Sequence, residues 1–347
     1  MQFLVFKSKS NLDYNTMIFD VGHGDSVLLL DQENKGLLLD CGSLKPQLHI
    51  EVPMTIESVL PKDKSCGFVV SHYHFDHYSL FHWIKNPTLV FSKIYVPYLP
   101  FSGPGFEAAR AIMDFTWAAV LADYSYYRIL PEIFGKTNSQ IVPCKKGDFV
   151  TEGNQNLRIL WPDISHSILG SNKIRQIARK VTATIESTMA DLDYRVPTFQ
   201  PEDSFSQFIE YVNYLKNQDL ADEKKRKIQA VLGNVEGEFR TVANLLSIVA
   251  VSFRKRNGRI LHLGDAEDDV LNEITISGSY NYSFIKAAHH GTCFGESISN
   301  LDTEFLIISR SKREFSDIKE IHDGYLADIQ CRMILSTEHL HHCLVCA

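Results

Sequence analysis

Two strand-rich stretches separated by a long helical block constrain this chain most. Thr16 to Asp20, Ser26 to Asp31 and Gly36 to Asp40 are apolar runs of strand length broken by Gly and Asn, the pattern of consecutive antiparallel strands. Cys66 to Ser71, Lys93 to Val96, Gln140 to Val142 and Leu157 to Trp161 continue the series, and a helix is expected over Phe106 to Leu130, where alanines and aromatics recur at helical spacing. From Ser165 to Ala243 the period changes. Ile174, Ile177, Val181, Ile185 and Met189 follow a helical repeat, and Phe205, Phe208, Ile209, Val212 and Leu215 do so again after a Ser204/Gln207 capping box. Strands return at Ser247 to Phe253, Arg259 to Leu263, Ser283 to Ala287, Phe305 to Ser309, Arg332 to Ser336 and His342 to Val345. The expected organisation is one layered α/β domain over residues 1–347, interrupted by an all-helical insertion at 165–243 that serves as a cap or docks a partner protein.

Composition narrows the function classes. The 347 residues hold 44% hydrophobic and 22% charged side chains, which suits a globular core. A net charge of −7 argues against a surface that tracks nucleic acid along its whole length, though not against a small site that meets phosphate locally. No uncharged apolar stretch approaches the ~20 residues a bilayer span requires, so no membrane association is expected. The N-terminus has apolar residues before its first Lys and lacks a basic segment with a cleavage site. Seven cysteines, an odd number spread over a long chain, suit reduced thiols and a cytoplasmic location.

The chemistry concentrates in Ser71-His72-Tyr73-His74-Phe75-Asp76-His77, which begins where an apolar strand ends. Residues two apart in extended chain point the same way, so His72 and His74 can converge on one metal ion while Asp76 and His77 face a second. For 14 His in 347 residues, chance would produce this H-x-H-x-D-H pattern only about 0.0015 times, so a polar surface turn is the weaker reading. Two other strands end in suitable donors. Arg259 to Leu263 runs into Gly264-Asp265, whose carboxylate could bridge two ions, and Ser283 to Ala287 leads to His289-His290.

Together these segments resemble the metallo-β-lactamase superfamily, nearest to the group of ComEC-type competence-protein hydrolase domains and phosphorylcholine esterases. The matching stretches are Asp20-Val-Gly-His-Gly-Asp-Ser26, Leu39-Asp40-Cys-Gly42, the His72 to His77 motif, Ile159-Leu-Trp-Pro162, Asn244-Leu-Leu-Ser247, Leu263-Gly-Asp-Ala-Glu267 and His289-His-Gly291. The helical block has no counterpart. The resemblance implies an αββα sandwich with metals at one edge of the facing sheets. It assigns His72 and His74 to the first ion, Asp76 and His77 to the second, Asp265 to the bridge and His290 to the second ion. His289 would be left for substrate, and Asp40 would orient a ligand. Many superfamily members add a histidine to the first metal between the first motif and the bridging Asp. Here only His82, His166 and His262 lie in that interval, and the aligned position falls near Asn244 to Ser247. The first ion then keeps the three-ligand open arrangement of catalytic sites. His23 stands where the group has Gln and reads first as a turn histidine, although with Asp25 and Asn244 it is a candidate to support the ligands or contact substrate.

The expected function is therefore a dinuclear metal-dependent hydrolase of a phosphodiester, a nuclease in its polymer form, using two Zn or Mn ions, with Fe also suited to a His/carboxylate set. A metal-bridging hydroxide would attack phosphorus. Asp76 would orient it, and His289 would protonate the leaving oxygen or hold phosphate, with Ser247 or Thr292 assisting. The alternatives are a same-fold hydrolase of a thioester, lactam or lactone, and a non-catalytic scaffold. Arg254-Lys-Arg256, Arg310-Ser-Lys-Arg313 and Lys224-Lys-Arg-Lys227 could guide a nucleic-acid strand, although such runs are usually solvated faces. His341-His-Cys343-Leu-Val-Cys346 has only half the ligands of a structural zinc site. Gly22-His-Gly24-Asp25 lacks the third glycine of a dinucleotide fingerprint.

Overall fold

The apolar runs that read as strands pair largely in chain order. The computed structural model describes residues 3–6, 14–31, 33, 35–44, 48–60, 65–86, 89–135, 139–197, 205–215, 218–252, 259–276, 281–310, 321–336 and 344–345. Strands β1 (Phe3–Phe6), β2 (Tyr14–Phe19), β3 (Ser26–Asp31) and β4 (Gly36–Cys41) are followed by helix α1 (Leu48–Val59), β5 (Ser65–Val69) and β6 (Val90–Pro97). Helices α2 (Phe106–Leu121) and α3 (Leu130–Phe134) precede β7 (Gln140–Cys144), β8 (Phe149–Glu152) and β9 (Gln155–Trp161). Helices α4 (Asn172–Asp191), α5 (Phe205–Leu215) and α6 (Asp222–Leu245) lead into β10 (Val249–Ser252) and β11 (Arg259–His262). The chain continues through α7 (Asp268–Glu273), β12 (Asn281–Lys286), β13 (Asp302–Ile308), α8 (Gly324–Ala327), β14 (Gln330–Ser336) and β15 (Leu344–Val345).

The strands form two mixed sheets. The first runs β1 to β7 in order, antiparallel through β4 and parallel from β4 to β7. The second runs β8 to β15 in order, with β11 to β14 parallel and antiparallel pairs at both ends. Alternate residues of both sheets meet in one core. Val27, Leu29, Leu37, Leu39, Val69 and Tyr95 of the first sheet pack with Leu157, Ile159, Ile260, Phe284 and Ile307 of the second. The intervening Leu28, Leu38, Leu261, Ile285 and Leu306 are buried as well, which explains why these strands read as continuous apolar runs. On the far face of the first sheet, Phe81 stacks on Phe68 with ring centroids 4.0 Å apart.

The chain divides into two compact units, one of Met1–Pro97, Asn138–Pro162 and Ser247–Ala347, the other of Tyr98–Thr137 and Asp163–Leu246. The second unit holds α2 to α6, so the helical part draws on two chain segments and extends beyond the expected 165–243 insertion. The physical reason lies in α2, where thirteen of sixteen residues are buried, Asp114 and Thr116 among them. A helix buried nearly all round belongs at the centre of a bundle. Phe115 of α2 stacks on Phe239 of α6 at 3.8 Å.

Other differences are local. The helix expected over Phe106 to Leu130 ends at Leu121, because Asp123 and Ser125 take positive φ and break the hydrogen-bond ladder. Helix α1 was masked in the sequence by Pro53, which sits inside it. Strand β8 forms a hairpin with β9 across Gly153-Asn154, a two-residue turn with Gly153 at φ 55°. Among the described residues no helix is long and apolar enough to cross a membrane.

Candidate metal centre

Parallel strands deliver the chemistry to one edge of the first unit. β5 ends just before His72 to His77, β11 before Asp265, and β12 before His289 and His290, while Asp40 closes β4. The loops beyond the carboxyl ends of parallel strands are where open α/β sheets present functional groups. Two turns depend on glycine. Gly264 takes φ 53°, and a Cβ there would lie 2.3 Å from Ser247 Oγ, which accepts a hydrogen bond from the Asp265 amide at 2.9 Å. At Gly42 a Cβ would lie 2.1 Å from the Asp76 carbonyl, so the absence of a side chain lets the motif loop seat on β4.

Five of the six candidate ligands come together in two groups that share Asp265, and the sixth, Asp76, adjoins them. His72, His74 and Asp265 form one, and His77, Asp265 and His290 the other, with donor atoms of each within 4.8 Å. Asp76 Oδ2 lies 3.3 Å from His290 Nε2 and 3.9 Å from His77 Nε2, and His290 Nε2 is 3.5 Å from Asp265 Oδ2. All six side chains are buried. His23, read as a turn residue that could approach the site, joins them. Its Nε2 is 3.8 Å from Asp76 Oδ2 and its ring 4.2 Å from that of His290, forming a third donor group of His23, Asp76 and His290.

The surroundings aim the histidines. His77 Nδ1 bonds Asp40 Oδ2 at 2.9 Å, and His290 Nδ1 donates to the Ser309 carbonyl at 2.8 Å. Ser71 Oγ lies 3.2 Å from His72 Nδ1 and 3.1 Å from His77 Nδ1. With Nδ1 occupied, Nε2 is the nitrogen each ring presents to the centre, the usual support of a metal-bound imidazole. Asp40 also accepts from the Ser71 amide at 2.7 Å, which fits its expected orienting role. His72 Nε2 is buried, makes no hydrogen bond among the described residues, and is 3.9 Å from Asp265 Oδ2. Donors each about 2 Å from a common tetrahedral ion stand about 3.3 Å apart, close to the 3.3–3.5 Å between His290 Nε2 and Asp76, His290 Nε2 and Asp265, and His77 Nε2 and Asp265, so the residues present fit a metal.

The electrostatics point the same way. Asp25, Asp40, Asp76 and Asp265 are buried carboxylates, and Lys286, also buried, reaches Asp25 at 2.9 Å. Burial pushes the carboxyls of Asp76 and Asp265 up, but the neighbouring histidines outweigh it and hold both well below the ordinary carboxylate range. Asp25 is likewise lowered, with Lys286 the largest force opposing its burial. Burial favours neutral His77 and His290, yet the carboxylates overcome it, Asp265 foremost, and raise both. His72 stays well below the ordinary histidine range through burial, and burial with His290 lowers His23 to about 3.

The remaining candidates divide. Ser247 holds the Asp265 loop rather than facing outward, and Thr292 Oγ1 caps its own turn by donating to the His289 carbonyl at 2.7 Å. Both therefore lock backbone. Asn244 is buried near the end of α6, in the helical unit. His289 turns away from His290 because both take left-handed backbone, φ 46° and 54°. Its Nδ1 lies 3.5 Å from Glu267 Oε1 and 3.3 Å from Cys293 Sγ. Of the non-ligand histidines, His262 is buried 3.8 Å from Asp40 Oδ2, and His166 caps the turn at Ile168. Lys286 escaped the sequence reading, although one lysine in an otherwise apolar strand end was its signal. Lys224, Lys225 and Lys227 bond Leu192, Asp123 and Glu223 within the helical unit, which accounts for that basic run without a ligand. Arg254 to Arg256, Ser311 to Arg313, and the His and Cys residues of the 341–346 segment lie outside the described residues.

The molecule thus belongs to the mixed α/β class, with two mixed sheets and a buried His/Asp cluster at the strand ends. No protein-family profile matches the chain, and no curated protein matches it. A solved structure from Enterococcus faecalis V583, described as a protein of unknown function, is similar over 88% of this chain and 52% of its own, at 10% identity and a TM-score of 0.35. The chain spans about half the length of that structure.

Proposed function

We propose that this chain is a dinuclear metal-dependent hydrolase of the metallo-β-lactamase αββα type, acting on a phosphodiester. One observation carries the reading. Six buried donors from three loops converge on one patch that holds four buried carboxylates, one of which, Asp25, pairs with the buried Lys286 ammonium. His72, His74 and Asp265 would hold one ion, and Asp76, His77 and His290 the other, with Asp265 shared and His23 alongside. When bound, two Zn or Mn ions supply Lewis acidity, activating water and offsetting charge on substrate oxygens.

Charge favours phosphodiester over acyl substrates. With neutral histidines these buried groups carry three net negative charges, which two divalent ions would turn to one positive charge. A centre that is positive before hydroxide forms attracts an anionic phosphodiester, an advantage it does not give a neutral thioester, lactam or lactone. The chain's own residues do the positioning. Asp40 fixes His77, Ser309 fixes His290, and Ser247 fixes the Asp265 turn. His289 meets substrate through Nε2, since its Nδ1 faces Glu267 and Cys293.

Metal analysis paired with a substrate panel tests the reading, using bis-p-nitrophenyl phosphate, single-stranded nucleic acid, a lactam and a thioester on wild type and His74→Ala. Metal-dependent phosphodiester cleavage that is lost in His74→Ala together with bound metal is expected. Robust acyl hydrolysis without phosphodiester cleavage would overturn the substrate class. Full metal loading with no turnover of any substrate would leave the scaffold reading.

A further inference from the structure

Beside the proposed dinuclear centre lies a second cluster of different chemistry. Glu267, His289 and Cys293 bring together an oxygen, a nitrogen and a sulfur. Cys293 Sγ is 3.3 Å from His289 Nδ1 and 3.5 Å from Glu267 Oε2, and His289 Nδ1 is 3.5 Å from Glu267 Oε1. Zinc binds nitrogen and oxygen at about 2.0–2.2 Å and sulfur at about 2.3 Å, so the edges of its tetrahedron measure roughly 3.3–3.6 Å. All three separations lie in that range. The two Glu267 contacts use different oxygens, so a rotation of that carboxylate that turns one oxygen to both Nδ1 and Sγ completes one face of a zinc coordination shell.

The setting suits a small cation. Cys293 is 3% exposed and closes the back of the cluster, while the side chains of His289 and Glu267 are 32% and 29% exposed and leave it open to solvent. An ion and a fourth ligand, water, can enter from that side. Sulfur distinguishes this cluster from the His/Asp set, since a thiolate selects Zn²⁺ over the harder Mn²⁺. Glu267 is two residues beyond Asp265, and His289 adjoins His290. An ion here would tie together the two loops that carry those ligands.

We infer that Glu267, His289 and Cys293 form a separate site for one Zn²⁺ ion, clamping the Asp265 and His290 loops from outside the dinuclear centre. On binding, the Cys293 thiol loses its proton to water and the sulfur lone pair forms the metal bond. One proton is released per ion, with no change of oxidation state.

Cobalt titration of the metal-free full-length protein tests this, because none of the six dinuclear ligands carries sulfur. At saturation, one of the bound Co²⁺ equivalents should produce a near-ultraviolet sulfur-to-cobalt charge-transfer band. The band should vanish in Cys293→Ser and need about tenfold more cobalt in Glu267→Gln, whose partly exposed side chain makes misfolding an inadequate explanation. It should persist in the His72→Ala/His74→Ala double variant, which separates this site from the dinuclear reading. Absence of the band in folded wild type overturns the inference. So does a band that survives Cys293→Ser, or one that disappears only when Cys343 and Cys346 are replaced.

Discussion

His77 Nδ1 bonds Asp40 Oδ2 at 2.9 Å, while the other oxygen of the same carboxylate accepts the Ser71 amide at 2.7 Å. One side chain at the end of β4 thus fixes both a ligand ring and the start of the loop that carries it. Asp40→Asn keeps the amide bond and removes the charge that orients the imidazole. Metal affinity should fall about 10–100-fold with the fold retained, read by metal titration alongside circular dichroism. Unchanged affinity would show that the His77 ring needs no such partner.

Removing metal should make stability depend on alkaline pH. His77 and His290 are raised above the ordinary histidine range by the carboxylates around them. Raised groups contribute stability that is fully present below the unfolded histidine value and is lost as pH rises through the folded value. Chelated protein should therefore melt progressively lower as pH rises above the ordinary histidine value, whereas metal-loaded protein should not, because ions replace those protons. Parallel calorimetric melts with and without chelator check this. Identical slopes would count against it.

Gly42→Ala should be far more damaging than an ordinary glycine replacement. A Cβ would sit 2.1 Å from the Asp76 carbonyl and 2.4 Å from the His77 amide nitrogen, contacts relieved only by moving backbone. Melting temperature and metal content should both drop. Gly237→Ala, in α6 with nothing within 4 Å, is the control and should be neutral or stabilising by up to about 1 kcal/mol.

Asp114, fully buried in α2, has its carboxyl raised to about 7 by burial, with Arg110 and Thr182 only partly opposing it. The folded state then holds a proton the unfolded chain has released, so this residue's contribution is full below about pH 4 and is lost as pH rises towards 7. Asp114→Asn removes the ionisation. It should be more stable than wild type at about pH 8, by an amount on the order of a few kcal/mol, and the difference should shrink on acidification. Chemical denaturation across that range measures it, and a constant difference would dispose of the idea.

The helical unit should not come away by a single deletion, because it is built from two chain segments. Deleting Asp163 to Leu246 alone leaves α2 with thirteen buried residues and strips Phe239 from Phe115. That variant should aggregate, as followed by light scattering of the purified protein. Removing Tyr98 to Thr137 as well takes α2 with its partners and should preserve solubility. Equal solubility of the two deletions would contradict the packing described.

The sequence alone determined the elements that carry local signals. Apolar runs between glycines marked most of the strands, and the His72 to His77 spacing, Gly264-Asp265 and the His289-His290 pair named every side chain of the two shared-aspartate groups. Those signals survive in one dimension because strand alternation and ligand spacing are set by neighbours in the chain. Tertiary structure decided what depends on distant partners. Lys286 is recognisable as a counter-charge only once Asp25 lies 2.9 Å away, and His23 reads as a turn until Asp76 and His290 stand beside it. Left-handed backbone at His289 and His290 sends adjacent rings to different clusters, and Cys293 meets Glu267 only because the chain folds back over 26 residues. Burial, charge compensation and close approach are properties of through-space neighbours, and no local spacing in the sequence encodes them.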